Sequence, residues 1–245
     1  MKKIPIACQM YSLRDEWGIQ PLESLRFLKE IGYTGVEFFG HYFSPEFHAA
    51  LLKESGLACA GWHTRIDDLE GDNFEPTLAA NLTVGNHFVC VPYFKAETLD
   101  GWKEFCDRLN AVAAKLARYG IRTGYHNHAH EFMPVEGVMP WTVIAENTDP
   151  AIILQLDVGN CMRGGGDPAA WIKKYAGGRN VTVHCKPWSN ESGFDLTKGE
   201  DNAPWAEIVE WCRTEGAAEW LIVEYEEKTD VRACVRAMYE KLAAL

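Results

Sequence analysis

Four stretches of this chain end in side chains able to hold a metal ion or move a proton. Ile152 to Asp157 (IILQLD) ends in a carboxylate, and Asn180 to Trp188 (NVTVHCKPW) carries His184 and Lys186. Leu221 to Glu226 (LIVEYE) ends in Glu224 and Glu226. The stretch from Ile121 (IRTGYHNHAHEF) carries His126, His128 and then Glu131. Side chains alternate across a strand, so His184 and Lys186 share one face and Cys185 takes the other. Glu224 and Glu226 share a face for the same reason. Apolar strands that finish in Asp, His or Glu are what a cation site at the mouth of a parallel barrel requires.

The elements that would position these groups recur as a unit. A helical pattern ends at a glycine, and a strand begins a few residues later, at Gly32, Gly56, Gly120 and Gly216. Glycine past a helix end suits the left-handed cap conformation. The unit yields eight candidate strands: Ile4–Gln9, Gly35–Phe39, Leu57–Trp62, His87–Pro92, Ile121–His126, Ile152–Asp157, Val181–Lys186 and Leu221–Glu226. Most are continuous apolar runs, as expected of parallel strands covered on both faces. The intervening patterns are amphipathic, with Leu22, Leu25, Leu28 and Ile31 on one face, and Trp102, Phe105, Leu109, Val112 and Leu116 on another. Val231, Val235, Met238 and Leu242 mark the closing helix. The polar run Arg65–Thr77 (RIDDLEGDNFEPT) reads as a loop over the barrel mouth. The expected fold is one α/β domain over residues 1–245, a (β/α)8 barrel of eight parallel strands.

Composition agrees. The chain has 245 residues, 47% hydrophobic, enough for one large core. The formal net charge of -11 and the lack of a basic stripe argue against a nucleic-acid partner. Eight cysteines with no CxxC pair read as buried reduced thiols. No run has the length of a membrane span, and Met1-Lys2-Lys3 leads straight into a strand without a signal-peptide core. A cytoplasmic location is therefore expected.

In a parallel barrel the catalytic groups sit at the C-terminal ends of the strands. Here those ends read Gln9, Glu37, His63, Tyr93, His126 with His128 and Glu131, Asp157, His184 with Lys186, and Glu224 with Glu226. In this order, GYHNHAHEF, LQLDVGN, GGDPAAWIKKYAGGRNVTVHCKP and WLIVEYE resemble the xylose-isomerase-like barrels, the sugar-phosphate isomerase/epimerase group. That superfamily also holds inosose dehydratases, keto-sugar epimerases and endonuclease IV. CQMYSLRD and GYTGVEFFG are similar to its opening segments, so the resemblance spans nearly the whole chain.

The resemblance implies one divalent metal held by a Glu after the fifth strand, an Asp after the sixth, a His on the seventh and a Glu on the eighth. Asp157, His184 and Glu224 match. Many relatives have a Glu where this chain has His126, and in the subgroup with a YHNH-like motif the later Glu, here Glu131, is similar to a substitute. The family's HVKD reads HCKP here, with Pro187 in place of the acid. Three carboxylates and one imidazole suit Mn²⁺, with Mg²⁺, Co²⁺ or Zn²⁺ as alternatives. The implied chemistry is proton removal beside a sugar carbonyl, with Glu131 and Glu224 as acid and base. His63, His126, His128 and Lys186 would meet substrate oxygens. Isomerisation or epimerisation of a keto-sugar or sugar phosphate is the first expectation. Elimination by the same chemistry, as in a dehydratase or 3-keto-glycoside lyase, is the second, and a non-catalytic sugar-binding barrel is the third. The expected partner is a small sugar, with neither nucleic acid nor membrane, and barrels of this kind often form homodimers.

Each residue has a plainer role to weigh. Asp157 suits a helix cap, His184 a hydrogen-bonded core imidazole, and Glu37 a supporting carboxylate. Asp167 and Pro168 after a glycine run suit simple helix initiation rather than a phosphate loop. Tyr11, Trp17, Phe39, Tyr93 and Trp188 suit either stacking on a sugar ring or packing.

Overall fold

The protein is described from a computed structural model, which covers residues 3–175, 178–216 and 218–245. All eight expected strands form, at β1 Ile6–Gln9, β2 Gly35–Phe39, β3 Ala58–His63, β4 Phe88–Val91, β5 Arg122–His126, β6 Ile153–Gln155, β7 Thr182–Cys185 and β8 Trp220–Val223. They pair in parallel in the order β6-β5-β4-β3-β2-β1-β8-β7. The barrel is nearly closed. At the seam between β6 and β7, Leu154 N donates to Arg179 O and His184 N to Leu156 O, both at 2.9 Å, and a single bridge joins Asp157 to His184.

Among the described residues ten α-helices accompany the strands: α1 Arg14–Trp17, α2 Pro21–Ile31, α3 Pro45–Ser55, α4 Phe74–Thr83, α5 Leu99–Leu116, α6 Pro140–Asn147, α7 Val158–Arg163, α8 Pro168–Lys174, α9 Trp205–Thr214 and α10 Val231–Ala243. The expected faces are the buried ones. On α5, Trp102, Phe105, Leu109, Val112 and Leu116 are all buried, each contributing about 1.5–3 kcal/mol of transfer free energy. The main core fills the layer between strands and helices. Two smaller apolar clusters, Phe88, Cys90, Ile153 and Val181, and Ala7, Ala60 and Ile222, both pack with Trp220.

Gly56 and Gly120 adopt left-handed conformations at helix ends, as expected, and Gly32 also has a positive φ. Gly216 has another reason to be glycine: a Cβ there would lie 3.0 Å from Trp211 O. The run after β3 is not a plain loop. It folds as two 3-10 turns, Ile66–Leu69 and Gly71–Asn73, before α4. Asp167 caps α8 by accepting from Ala170 N at 3.1 Å, with Pro168 at the first position. In the GGDPAAWIKKYAGGRNVTVHCKP stretch, Ala176 and Gly177 lie outside the described residues. All eight cysteines are unpaired, and seven are buried. Among the described residues no helix is long and apolar enough to cross a membrane.

Candidate metal centre and cleft

β6 stops at Gln155, so Asp157 lies beyond the strand and is the N-cap of α7. Its Oδ1 accepts Asn160 N at 2.6 Å, while Oδ2 is buried without a hydrogen-bond partner. One oxygen thus holds the carboxylate in place and the other is left for something else. Asp157 Oδ2 lies 3.9 Å from His184 Nδ1 and 4.0 Å from His126 Nε2, and Glu224 Oε2 lies 3.0 Å from His184 Nδ1. His126, Asp157, His184 and Glu224, all buried, each offer an atom within 4.8 Å of the others. Burial pushes the Asp157 carboxyl up, and nearby Glu224 adds to the rise. For Glu224, burial is outweighed by Lys186 and His184, which hold it ionised. Burial and the surrounding imidazoles keep His126 well below its ordinary pKa, so it stays a neutral potential ligand.

A bare buried carboxylate oxygen is costly, and a cation among two carboxylates and two imidazoles removes that cost. The donor set therefore fits a divalent ion. It differs from the expected set, because His126 stands where Glu131 was expected. The Glu131 carboxylate is fully buried elsewhere, accepting Tyr125 Oη at 2.5 Å and His128 N at 2.8 Å. His130 Nε2 lies 3.3 Å from it. Among the described residues Glu131 joins no donor cluster and does not line the cleft. It secures the turn after β5, away from the cluster, as chain geometry dictates. That turn folds as a 3-10 helix over His130–Phe132 and directs residue 131 toward Tyr125. The last residue of β5, His126, remains on the barrel's inner face.

Glu37 emerges as the organiser beneath this cluster. It is fully buried and accepts from Gln9 Nε2 at 2.6 Å and Gln155 Nε2 at 2.9 Å. His184 Nε2 lies 2.6 Å from it and His63 Nε2 3.1 Å. Burial alone would lower the His184 pKa, but the charges and hydrogen bonds of Glu37 and Glu224 together raise it to about 10. Glu37 holds one nitrogen of His184 while the other faces Asp157 and Glu224, an arrangement that fixes the orientation of metal-binding histidines. Gly61 makes room for it, since a Cβ there would lie 2.6 Å from Glu37 Oε1. Gln155 and Asn127 were not foreseen as site residues. Asn127 Oδ1 accepts Asp157 N at 2.8 Å and ties the ends of β5 and β6 together. Gln155 was legible by alternation, two residues before Asp157 on the same face.

Above the cluster opens a cleft of about 520 Å³. His63, His126, His128, Glu224 and Glu226 line it, together with Tyr11, Phe39 and Tyr93. Lys186 does not. Its ammonium is buried 2.8 Å from Glu226 Oε2, and Glu224, Asp157 and Glu226 keep it charged despite burial. Trp17 is buried against Phe38 and Phe43, and Trp188 packs on Phe194, so both serve packing.

Comparison with known proteins agrees with this architecture. The profile of the family described as xylose isomerase-like TIM barrel matches residues 25–241. An inosose dehydratase of Bacillus licheniformis is 23% identical over 224 residues, 83% of this chain and 73% of that protein. A sugar phosphate isomerase/epimerase from Parabacteroides distasonis superposes with a TM-score of 0.84 at 22% identity, covering 99% of this chain and 95% of the other. A probable 3-DHS dehydratase involved in petrobactin synthesis in Bacillus anthracis superposes with a TM-score of 0.73 at 15% identity, covering 98% and 99%. At these identities the superpositions speak for the fold alone.

Proposed function

The chain belongs to the xylose isomerase-like TIM barrel family, and on that premise we propose that it is a divalent-metal-dependent isomerase or epimerase of a keto-sugar. The observation that carries the reading is the unpartnered Asp157 Oδ2, buried among His126, His184 and Glu224 at the floor of an open cleft. A divalent ion held by those four residues supplies Lewis-acid polarisation of a carbonyl. Two imidazoles beside two carboxylates favour Mn²⁺, Co²⁺ or Zn²⁺ over Mg²⁺, which prefers an all-oxygen shell.

The chain's own groups would handle the proton. Glu224 lines the cleft and is held ionised, so it is the base that removes a proton beside the carbonyl. Glu131 is sequestered from the cleft and leaves the acid/base pair proposed from the sequence. The imidazole of His128 also lines the cleft, and burial keeps its pKa at about 4, so it is neutral and placed to hydrogen-bond a sugar oxygen, while protonated Glu224 returns the proton to the neighbouring carbon. His63, held by Gln155 Oε1 at 2.8 Å and Glu37, presents its ring to substrate oxygens.

Elimination of water through the same first step is the second reading, favoured by the sequence relative described as an inosose dehydratase. Both readings predict deuterium wash-in from D₂O beside the carbonyl of a turned-over keto-sugar, and its loss in Glu224→Gln. Conserved product mass supports isomerisation, and loss of 18 mass units, one water, supports dehydration. No exchange across a keto-sugar panel with the ion loaded would sink both.

A further inference from the structure

The charges around the cleft bear on which substrates it admits. Its lining carries the carboxylates of Asp68, Glu224 and Glu226 against a single guanidinium, Arg65. Arg65 stands at the rim with its side chain 76% exposed, and its Nη2 lies 3.6 Å from Asp67. Neighbouring cations are already engaged. Lys186 is held by Glu226 and lies over the Phe194 ring at 4.6 Å. Arg14 donates to the carbonyls of Tyr11 and Glu226 and covers the Tyr11 ring. His63 Nε2 is engaged by Gln155 and Glu37, His126 Nε2 faces Asp157, and His41 faces Asp68 at 3.9 Å. A dication on the floor balances carboxylates without leaving a positive excess among the described residues. Recognition of a phosphate needs a guanidinium fork, free ammonium groups or converging N–H donors. An anion entering here would instead lose its hydration beside like charge.

The rest of the wall is aromatic. Tyr11 and Phe39 meet edge to face at 5.0 Å, and Tyr93, 54% exposed, stands against His128 at 5.3 Å. Aromatic faces suit the C–H face of a sugar ring, and carboxylates suit its hydroxyl donors. From this combination we infer that the cleft takes an uncharged, ring-form polyhydroxy ketone and rejects phosphate esters and sugar acids. This inference rests on the cleft being the substrate site of the proposed enzyme.

Saturation-transfer NMR on the Zn²⁺-loaded full chain tests it with matched pairs: fructose against fructose 6-phosphate, glucose against glucuronate, and the neutral ring ketones methyl 3-ketoglucoside and 2-inosose alongside inorganic phosphate. A neutral ring compound is expected to bind at least about tenfold more tightly than its charged counterpart, the size of a like-charge penalty. Tyr93→Ala is expected to weaken that binding severalfold with metal content unchanged. Equal or tighter binding of the phosphate or acid, or no binding by any neutral compound, overturns the inference. Neutral-selective binding without proton exchange would count against the catalytic reading and leave the charge selectivity standing.

Discussion

At the scale of single residues, the division of labour between His126 and Glu131 is the most consequential feature. Both were open as the fifth ligand, five positions apart in one motif. The distances separate them, because His126 Nε2 faces Asp157 Oδ2 while Glu131 is bound to Tyr125 and a backbone N–H. His126→Ala is therefore expected to abolish stoichiometric metal uptake, measured by elemental analysis after dialysis. Glu131→Gln should retain the ion and instead lose about 1–3 kcal/mol of stability in urea unfolding, as a buried hydrogen-bonded group is weakened. Metal loss in Glu131→Gln with unchanged stability would reverse this assignment. Glu37 acts one step away. Glu37→Gln is expected to weaken metal affinity by about 10–100-fold, read by competition with a fluorescent chelator, through loss of the partner that orients His184.

At the scale of elements, the site depends on how β5, β6 and β7 are joined. The β6–β7 seam has few ladder bonds, and Arg179 reinforces it. Its guanidinium donates to Ile152 O at 2.9 Å, Ala145 O at 2.6 Å and Thr148 Oγ1 at 2.6 Å. Arg179→Met leaves these buried acceptors unpaired and is expected to cost about 2–4 kcal/mol, measured by chemical denaturation. An effect below about 0.5 kcal/mol, the size of an ordinary surface change, would show that the seam does not rely on it. The strands themselves were readable from their apolar runs and glycine stops, with ends displaced by one or two residues in most cases. The displacement matters at β6, where Asp157 is a cap rather than a strand end. Its plainer role and its chemical role turn out to be compatible, because a carboxylate has two oxygens and the cap uses one.

At the scale of the whole molecule, binding of an ion to the folded state alone adds stability by mass action. At a metal concentration 100 times its dissociation constant the gain is about 2.7 kcal/mol, or roughly 5–10 °C in Tm for a domain of this size. Calorimetry of the metal-loaded protein before and after chelation should show a fall in that range, reversed by added Mn²⁺, and an unchanged Tm would argue against a bound ion. The barrel, its parallel order and the polar strand ends were legible in the chain, and the family resemblance implied the grouping of Asp157, His184 and Glu224. Periodicity and strand-end chemistry are local properties that a linear string carries. The placing of His126 rather than Glu131 beside Asp157, the withdrawal of Lys186 to Glu226, and the seating of Glu37 under His184 took form only when separate strands were brought around one axis. Those outcomes depend on distances of a few ångströms between residues far apart along the chain, and no spacing within a single segment encodes them.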